Sequence, residues 1–169
     1  MKKETRSVLS LWRFALPAGW YWVIFGFSAQ PASVSGQLSD RLLYRLLESW
    51  SAAFRSFSEE GRTAVVEFLS YYERKGAHMF LYFVLVGLLL FALRPWFTSA
   101  PKRAAAAMAV CAVLAALDEF HQTFVPGRSG QPSDVVVDLM GAACFLLAWF
   151  LVRCVWKACR KPTPPAPAS

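Results

Sequence analysis

Apolar residues in this chain are gathered into long blocks separated by polar connections. Blocks over residues 11–29, 76–93, 103–120 and 135–152 come near the ~20 residues that cross a ~30 Å hydrocarbon core. The third reaches that length only by taking in Asp118, Glu119 and Phe120. Within the blocks the apolar residues are nearly continuous, without the alternation of a half-buried soluble helix or strand. The pattern predicts an all-α, polytopic membrane protein, a bundle of four transmembrane helices in one domain over residues 1–160. The first block opens on basic residues and leaves through Ser28-Ala29, as a secretory signal does. Its apolar stretch is longer than the ~7–15 residues of a signal core, so it reads as a retained helix. Pro17 is expected to bend it, which a lipid-embedded helix tolerates when neighbours satisfy the freed carbonyl.

The connection over residues 30–74 has a pattern of its own. Leu38, Leu42, Leu46, Trp50 and Phe54 recur at helical spacing, with Asp40, Arg41, Arg45 and Glu48 between them. This predicts an amphipathic helix in the first outer loop, lying in the membrane interface and capped by Ser39. The same pattern also fits a lid packed over the bundle. A second helical pattern from Glu59 to Tyr72 leads directly into the second span. Residues 161–169 hold four prolines and read as a disordered cytoplasmic tail.

Composition agrees with the blocks. Of the 169 residues 56% are hydrophobic and 17% charged, more apolar than a soluble domain of this length. The formal charge of +7 would suggest nucleic acid in a soluble protein. Here the charges sit at the ends of the blocks, so the partner they indicate is a lipid bilayer and no nucleic acid.

With the amino terminus inside, the inner segments hold Lys2, Lys3, Arg6, Arg13, Arg94, Lys102, Arg103, Arg153, Lys157, Arg160 and Lys161, eleven of the 18 basic residues, against Glu4 alone of the 11 acids. The positive-inside rule then puts both termini in the cytoplasm. Cys111, Cys144, Cys154 and Cys159 match neither a disulfide framework nor a zinc site and read as reduced packing residues.

Three polar sets interrupt the blocks, and the predicted direction brings all of them to the outer face. Arg74, Lys75 and His78 open the second span. Asp118, Glu119, His121 and Gln122 close the third, with offsets of three and four that put Asp118, His121 and Gln122 on one side. Ser133, Asp134 and Asp138 open the fourth. An acid at mid-span costs ~2.5–3.5 kcal/mol, so Asp118 and Asp138 should face the bundle interior and meet a cation: Arg74, Lys75, Arg128, a histidine or a bound metal. Gly141 would let another helix approach beside Asp138. Pro126-Gly127 marks a turn that carries Arg128 over the mouth. Each residue alone has a plain structural role, such as Arg128 pairing with Asp118 or Glu119. Their convergence on one face indicates a functional site.

The strings Arg74-Lys75-Gly76-Ala77-His78, Asp118-Glu119-Phe120-His121-Gln122-Thr123-Phe124-Val125-Pro126-Gly127-Arg128 and Ser133-Asp134 to Asp138 and Gly141 together resemble the VanZ-like family. Phe25-Gly26-Phe27-Ser28-Ala29-Gln30 resembles that family's first-span motif and adds Ser28 and Gln30 to the candidate binding residues. The family often has a glutamate three residues after the second-span histidine, where this chain has Leu81. The resemblance implies a multi-pass protein of the bacterial cell membrane, in a cell-envelope family named for resistance to the glycopeptide antibiotic teicoplanin, and it implies no particular reaction.

Three functions fit. The first is a site, or an enzyme, for a phosphorylated envelope lipid or polyprenyl-linked cell-wall precursor. Arg74, Lys75 and Arg128 would then hold phosphate, with Gln122, Asp134 and Asp138 in the binding set, while His78, Asp118, Glu119 or His121 serves as acid or base. A divalent metal on the carboxylates and a histidine is a further candidate, although no His-Glu-x-x-His motif marks it. The second is a non-catalytic protein that binds a precursor, the drug or another membrane protein. The third, a transporter, needs charged groups through the bilayer, and the inner halves of the spans have almost none.

Overall fold

The computed structural model describes residues 11–160. The proline-rich tail and the basic residues Lys2, Lys3 and Arg6 lie outside them. Every element among the described residues is helical: a 3-10 turn over Leu11–Phe14, then α1 (Ala15–Ser28), α2 (Ala32–Trp50), α3 (Ala52–Arg55), α4 (Glu59–Ala92), α5 (Ala100–Gln122) and α6 (Pro132–Cys159).

Helices α4, α5 and α6 are long and apolar enough to cross a membrane, their most apolar 18-residue windows having mean hydropathies of 1.8, 1.5 and 2.4. The fourteen residues of α1 rise about 21 Å, and the four-residue 3-10 turn before it adds about 8 Å. Pro17 falls at the third residue of α1, inside the first turn, where no helical hydrogen bond is lost. The expected mid-helix bend is therefore replaced by a change of helix type at the amino end.

The core is built on α4. Tyr82, Leu85, Val86 and Leu89 are buried against Ala104, Ala107, Cys111 and Ala115 of α5, Ala142 of α6 and Ile24 of α1. The α5 residues recur at offsets of three and four and are all small, so α5 comes close to its neighbours. Helices α4 and α6 approach more closely still: a Cβ on Gly141 would run into the backbone carbonyl of Met79, and one on Gly87 would lie 2.7 Å from the Phe145 ring. The opposite faces are apolar and exposed, including Phe80 on α4, Val113, Leu117 and Phe120 on α5, and Val136, Met140, Leu147, Leu151 and Val155 on α6. Such an outer surface suits hydrocarbon.

One end gathers basic and aromatic groups. The Arg13 guanidinium lies 5.0 Å from the Phe91 ring centroid, and those of Arg103 and Arg153 lie 5.5 and 5.0 Å from that of Trp149. Cys111 is buried, but Cys144, Cys154 and Cys159 are exposed, so only the first is a packing residue.

The Glu59–Tyr72 pattern continues into the second span as one helix of 34 residues. Ser58 starts it by accepting from the Gly61 amide at 3.3 Å, with Glu59 and Glu60 favourably placed in the first turn. The expected Ser39 cap is not formed. Helix α2 begins at Ala32, directly after Pro31, and the Ala32 amide donates to the Pro126 carbonyl at 3.3 Å. Ser39 lies within the helix, where its hydroxyl meets Glu73 of α4. The helix ends at Trp50, ahead of Phe54, which belongs to α3 under a separate cap by Ser51.

Candidate functional site

Up-and-down packing of α4, α5 and α6 carries the three polar sets to the end opposite the basic and aromatic cluster. There they surround a cavity of about 370 Å³. Tyr71, Arg74, Lys75 and His78 form one wall from α4, and Asp134, Val137 and Asp138 form the facing wall from α6. Glu119 and Gln122 come from α5, Ala32 and Ser35 from α2, and Gly127, Arg128, Ser129 and Gln131 from the loop. On α4 the offsets of four and seven from Tyr71 to Lys75 and His78 make a single stripe.

Lys75 pairs with Asp134 across the two walls. Below this pair, His78 Nδ1 lies 3.6 Å from Asp138 Oδ1. Asp138 is fully buried, and neither of its oxygens accepts a hydrogen bond among the described residues. The group that faces Asp138 is thus a histidine, charged only when protonated. With Nδ1 turned to the carboxylate, Nε2 is the nitrogen of His78 that a molecule in the cavity can meet. Beneath His78, Tyr82 is fully buried with a hydroxyl that has no partner among the described residues, and Leu85, Val86 and Leu89 close the bundle below it.

Asp118 departs from expectation. Among the described residues it pairs with no cation but accepts from the Ser28 hydroxyl at 2.6 Å and the Gln122 amide at 3.1 Å. Glu119 accepts from the other side of that amide at 3.1 Å and from the backbone of Gln131 at 2.9 Å.

Arg128 pairs with neither carboxylate. Its Nε donates to the Gln30 carbonyl at 2.9 Å and Nη2 to the Phe27 carbonyl at 3.0 Å, while Nη1 reaches Gln122 at 3.3 Å. The guanidinium therefore ties the carboxyl end of α1 to the loop. Burial lowers its pKa, with Arg74 acting in the same direction and Asp118 and Glu119 opposing; an arginine stays charged there. The loop can make this reach because Gly127 takes a φ of +76° in the turn closed by the Arg128 amide on the Val125 carbonyl at 3.1 Å, a position that favours glycine.

Eight of the twelve sequence-predicted residues line the cavity: Arg74, Lys75, His78, Glu119, Gln122, Arg128, Asp134 and Asp138. Ser28, Gln30, Asp118 and His121 are not part of its lining. Gln30 contributes a backbone carbonyl, and the His121 ring packs on Phe25 with centroids 4.4 Å apart. Tyr71, Ser35 and Gln131 were not singled out by the sequence. The helical offset to Lys75 and His78 could have found Tyr71, whereas the other two depend on how α2 and the loop fold back.

Among the described residues no group of three or more His, Cys, Asp or Glu side chains is arranged to hold a metal ion. Arg74 lines the cavity, is exposed, and makes no side-chain hydrogen bond or ion pair among the described residues. Among the described residues it is the cationic side chain of the lining that has no protein partner.

The VanZ/LLP1 family profile matches residues 14–153, which takes in every element that builds the cavity. The chain belongs to the VanZ/LLP1 family. With three spanning helices, this VanZ-type chain is a multi-pass membrane protein. Comparison with curated proteins and with solved structures gives no match. In this member, the position where VanZ-like sequences often have a glutamate is Leu81, whose backbone carbonyl accepts from Trp20 Nε1 at 2.9 Å. Its side chain packs against the core and adds no carboxylate to the cavity.

Proposed function

We propose that this VanZ-type protein binds the phosphate headgroup of an envelope lipid or polyprenyl-linked cell-wall precursor in the cavity, which opens on the outer face of a bacterial cell membrane. The carrying observation is Arg74, an exposed arginine on the wall of a polar cavity with no protein partner among the described residues. An arginine fork matches a phosphate in geometry and charge, and Lys75 stands one residue away. Binding a precursor at this position would connect the protein to glycopeptide resistance by altering what teicoplanin meets at the surface.

In this reading the 3-10 turn and α1 form the first of four spans, both termini are cytoplasmic, and α2 lies in the outer interface. The clustering of Arg13, Arg94, Arg103 and Arg153 at the end opposite the cavity supports the orientation. Exposed Leu42, Leu46 and Trp50 beside Arg41 and Arg45 support the placement of α2. Catalysis on the bound precursor is a second reading, favoured by His78 with Asp138 behind it and by Glu119 in the opposite wall. The apolar closure below Tyr82 disfavours a transporter.

Purified protein in detergent, titrated with farnesyl phosphate, should bind it saturably, and Arg74→Gln should weaken that binding at least tenfold. Equal binding by the variant would remove the phosphate reading. Release of inorganic phosphate or transfer of the prenyl group would move the assignment to the enzyme. For orientation, Ser129→Cys in a chain without the native cysteines should label from outside intact cells, and labelling only from inside would invert the topology.

A further inference from the structure

The formal charges lining the cavity already balance. Arg74, Lys75 and Arg128 face Glu119, Asp134 and Asp138, so three positive groups meet three carboxylates before any ligand arrives. An entering phosphate ester adds negative charge to a wall with no surplus to meet it. Only one lining group besides the carboxylates can change charge near neutral pH, and that is His78. It lies at the inner end of the polar stripe, its side chain 21% exposed, with Nδ1 facing the buried Asp138.

We propose that phosphate enters this cavity together with one proton, held on His78 and secured there by Asp138. The inference deepens the phosphate-site reading above and rests on it. It assigns His78 as a binding residue for the anion and Asp138 as the residue that positions it.

The surroundings of His78 support the coupling. From α6 it faces Asp138, with Asp134 one turn nearer the mouth and paired to Lys75. From α5 come Asp118, held by Ser28 and Gln122, and Glu119, held by Gln122 and the Gln131 amide. On its own helix Arg74 lies toward the mouth and the Tyr82 hydroxyl toward the core. Arg128 is occupied by Phe27, Gln30 and Gln122. Of the three cations, Lys75 and Arg128 are thus committed to protein groups, which leaves Arg74 and a protonated His78 to meet the anion. Since a bound anion stabilises the charged imidazole, the proton affinity of His78 is higher in the complex than in the free protein. Binding is then fully supported at low pH and lost as pH rises through the bound-state titration.

The probe should not titrate, so that any proton taken up belongs to the protein. Farnesyl methyl phosphate, a phosphodiester, meets this condition, and dimethyl phosphate supplies the same headgroup without the chain. Calorimetric titration of the native protein near neutral pH, in buffers of low and high ionisation enthalpy, should give an uptake of about one proton per ligand, with affinity falling about tenfold per pH unit between the free-state and bound-state titrations of His78. His78→Gln should abolish the buffer dependence, and Asp138→Asn should reduce it.

Heats independent of the buffer, with binding intact, would overturn the inference and leave the phosphate site standing. Retained proton uptake in His78→Gln would also overturn it. Dimethyl phosphate binding as tightly as the prenyl ester, with the same uptake, would support the coupling and remove the lipid. No binding of the diester would overturn the inference, and if farnesyl phosphate is not bound either, the phosphate-site reading falls with it.

Discussion

Ser28 and Asp118, ninety residues apart in the chain, meet at 2.6 Å with both side chains fully buried. The bond fixes the carboxyl end of α1 to the carboxyl end of α5 and lies outside the cavity lining. The Ser28 hydroxyl and the Gln122 amide are the donors to the Asp118 carboxylate. Both donate to Oδ2, and Oδ1 has no partner among the described residues; Ser28→Ala removes the shorter of the two bonds to this buried carboxylate and should destabilise the protein by about 1–3 kcal/mol, read as an earlier unfolding midpoint in mixed micelles. Ser28→Thr, which keeps the hydroxyl, should recover part of the loss. No shift for Ser28→Ala would mean that this contact does not hold α1 in place.

Two glycines of the family-like strings should respond in opposite ways. At Gly141 a Cβ meets the Met79 backbone, while at Gly76 nothing lies within 4 Å. Gly141→Ala therefore forces α4 and α6 apart, at a cost of about 1–3 kcal/mol. It should also disturb the His78–Asp138 alignment one turn above. Gly76→Ala fills open space on a helix and should be neutral or stabilising by about 0.5–1 kcal/mol. Thermal unfolding of the two variants side by side checks the helix packing independently of any ligand.

The arginines of the cavity should separate by role. Arg128→Ala removes donors from the Phe27 and Gln30 carbonyls and should lower stability by about 1–3 kcal/mol, with a loss of ligand binding that follows from the misplaced loop. Arg74→Ala breaks no hydrogen bond or ion pair among the described residues, so its unfolding midpoint should stay close to that of the native protein while phosphate-ester binding falls. If Arg74→Ala unfolds early and binds normally, the roles assigned to the two residues are reversed.

The sequence carried the parts of this arrangement that depend on helical offsets. Asp134 and Asp138, four apart, do face Lys75 and His78, and Gly141 does admit α4. It did not carry the parts that depend on backbone groups. Arg128 was expected to pair with Asp118 or Glu119 because carboxylates are visible in a sequence, whereas the carbonyls of Phe27 and Gln30 are exposed only because α1 ends there. The start of α2 was misplaced for a related reason. The Pro126 carbonyl from a distant loop satisfies the Ala32 amide, so no capping side chain marks the position. Asp118 was expected to meet a cation, yet a serine and a glutamine amide supply neutral donors to its Oδ2. Of the twelve candidate residues, those on the inward stripe of α4 and the first turns of α6 reach the cavity, while His121, on the same α5 turn as Gln122, faces Phe25 instead.

The most direct test of a phosphate site at the mouth is a structure of the protein with farnesyl phosphate bound. The phosphate is predicted to lie within hydrogen-bond reach of Arg74 and of His78 Nε2, inside the cavity between α4 and α6, with Arg128 still bound to the Phe27 and Gln30 carbonyls. A phosphate located elsewhere on the protein, with the cavity unchanged, would contradict the account.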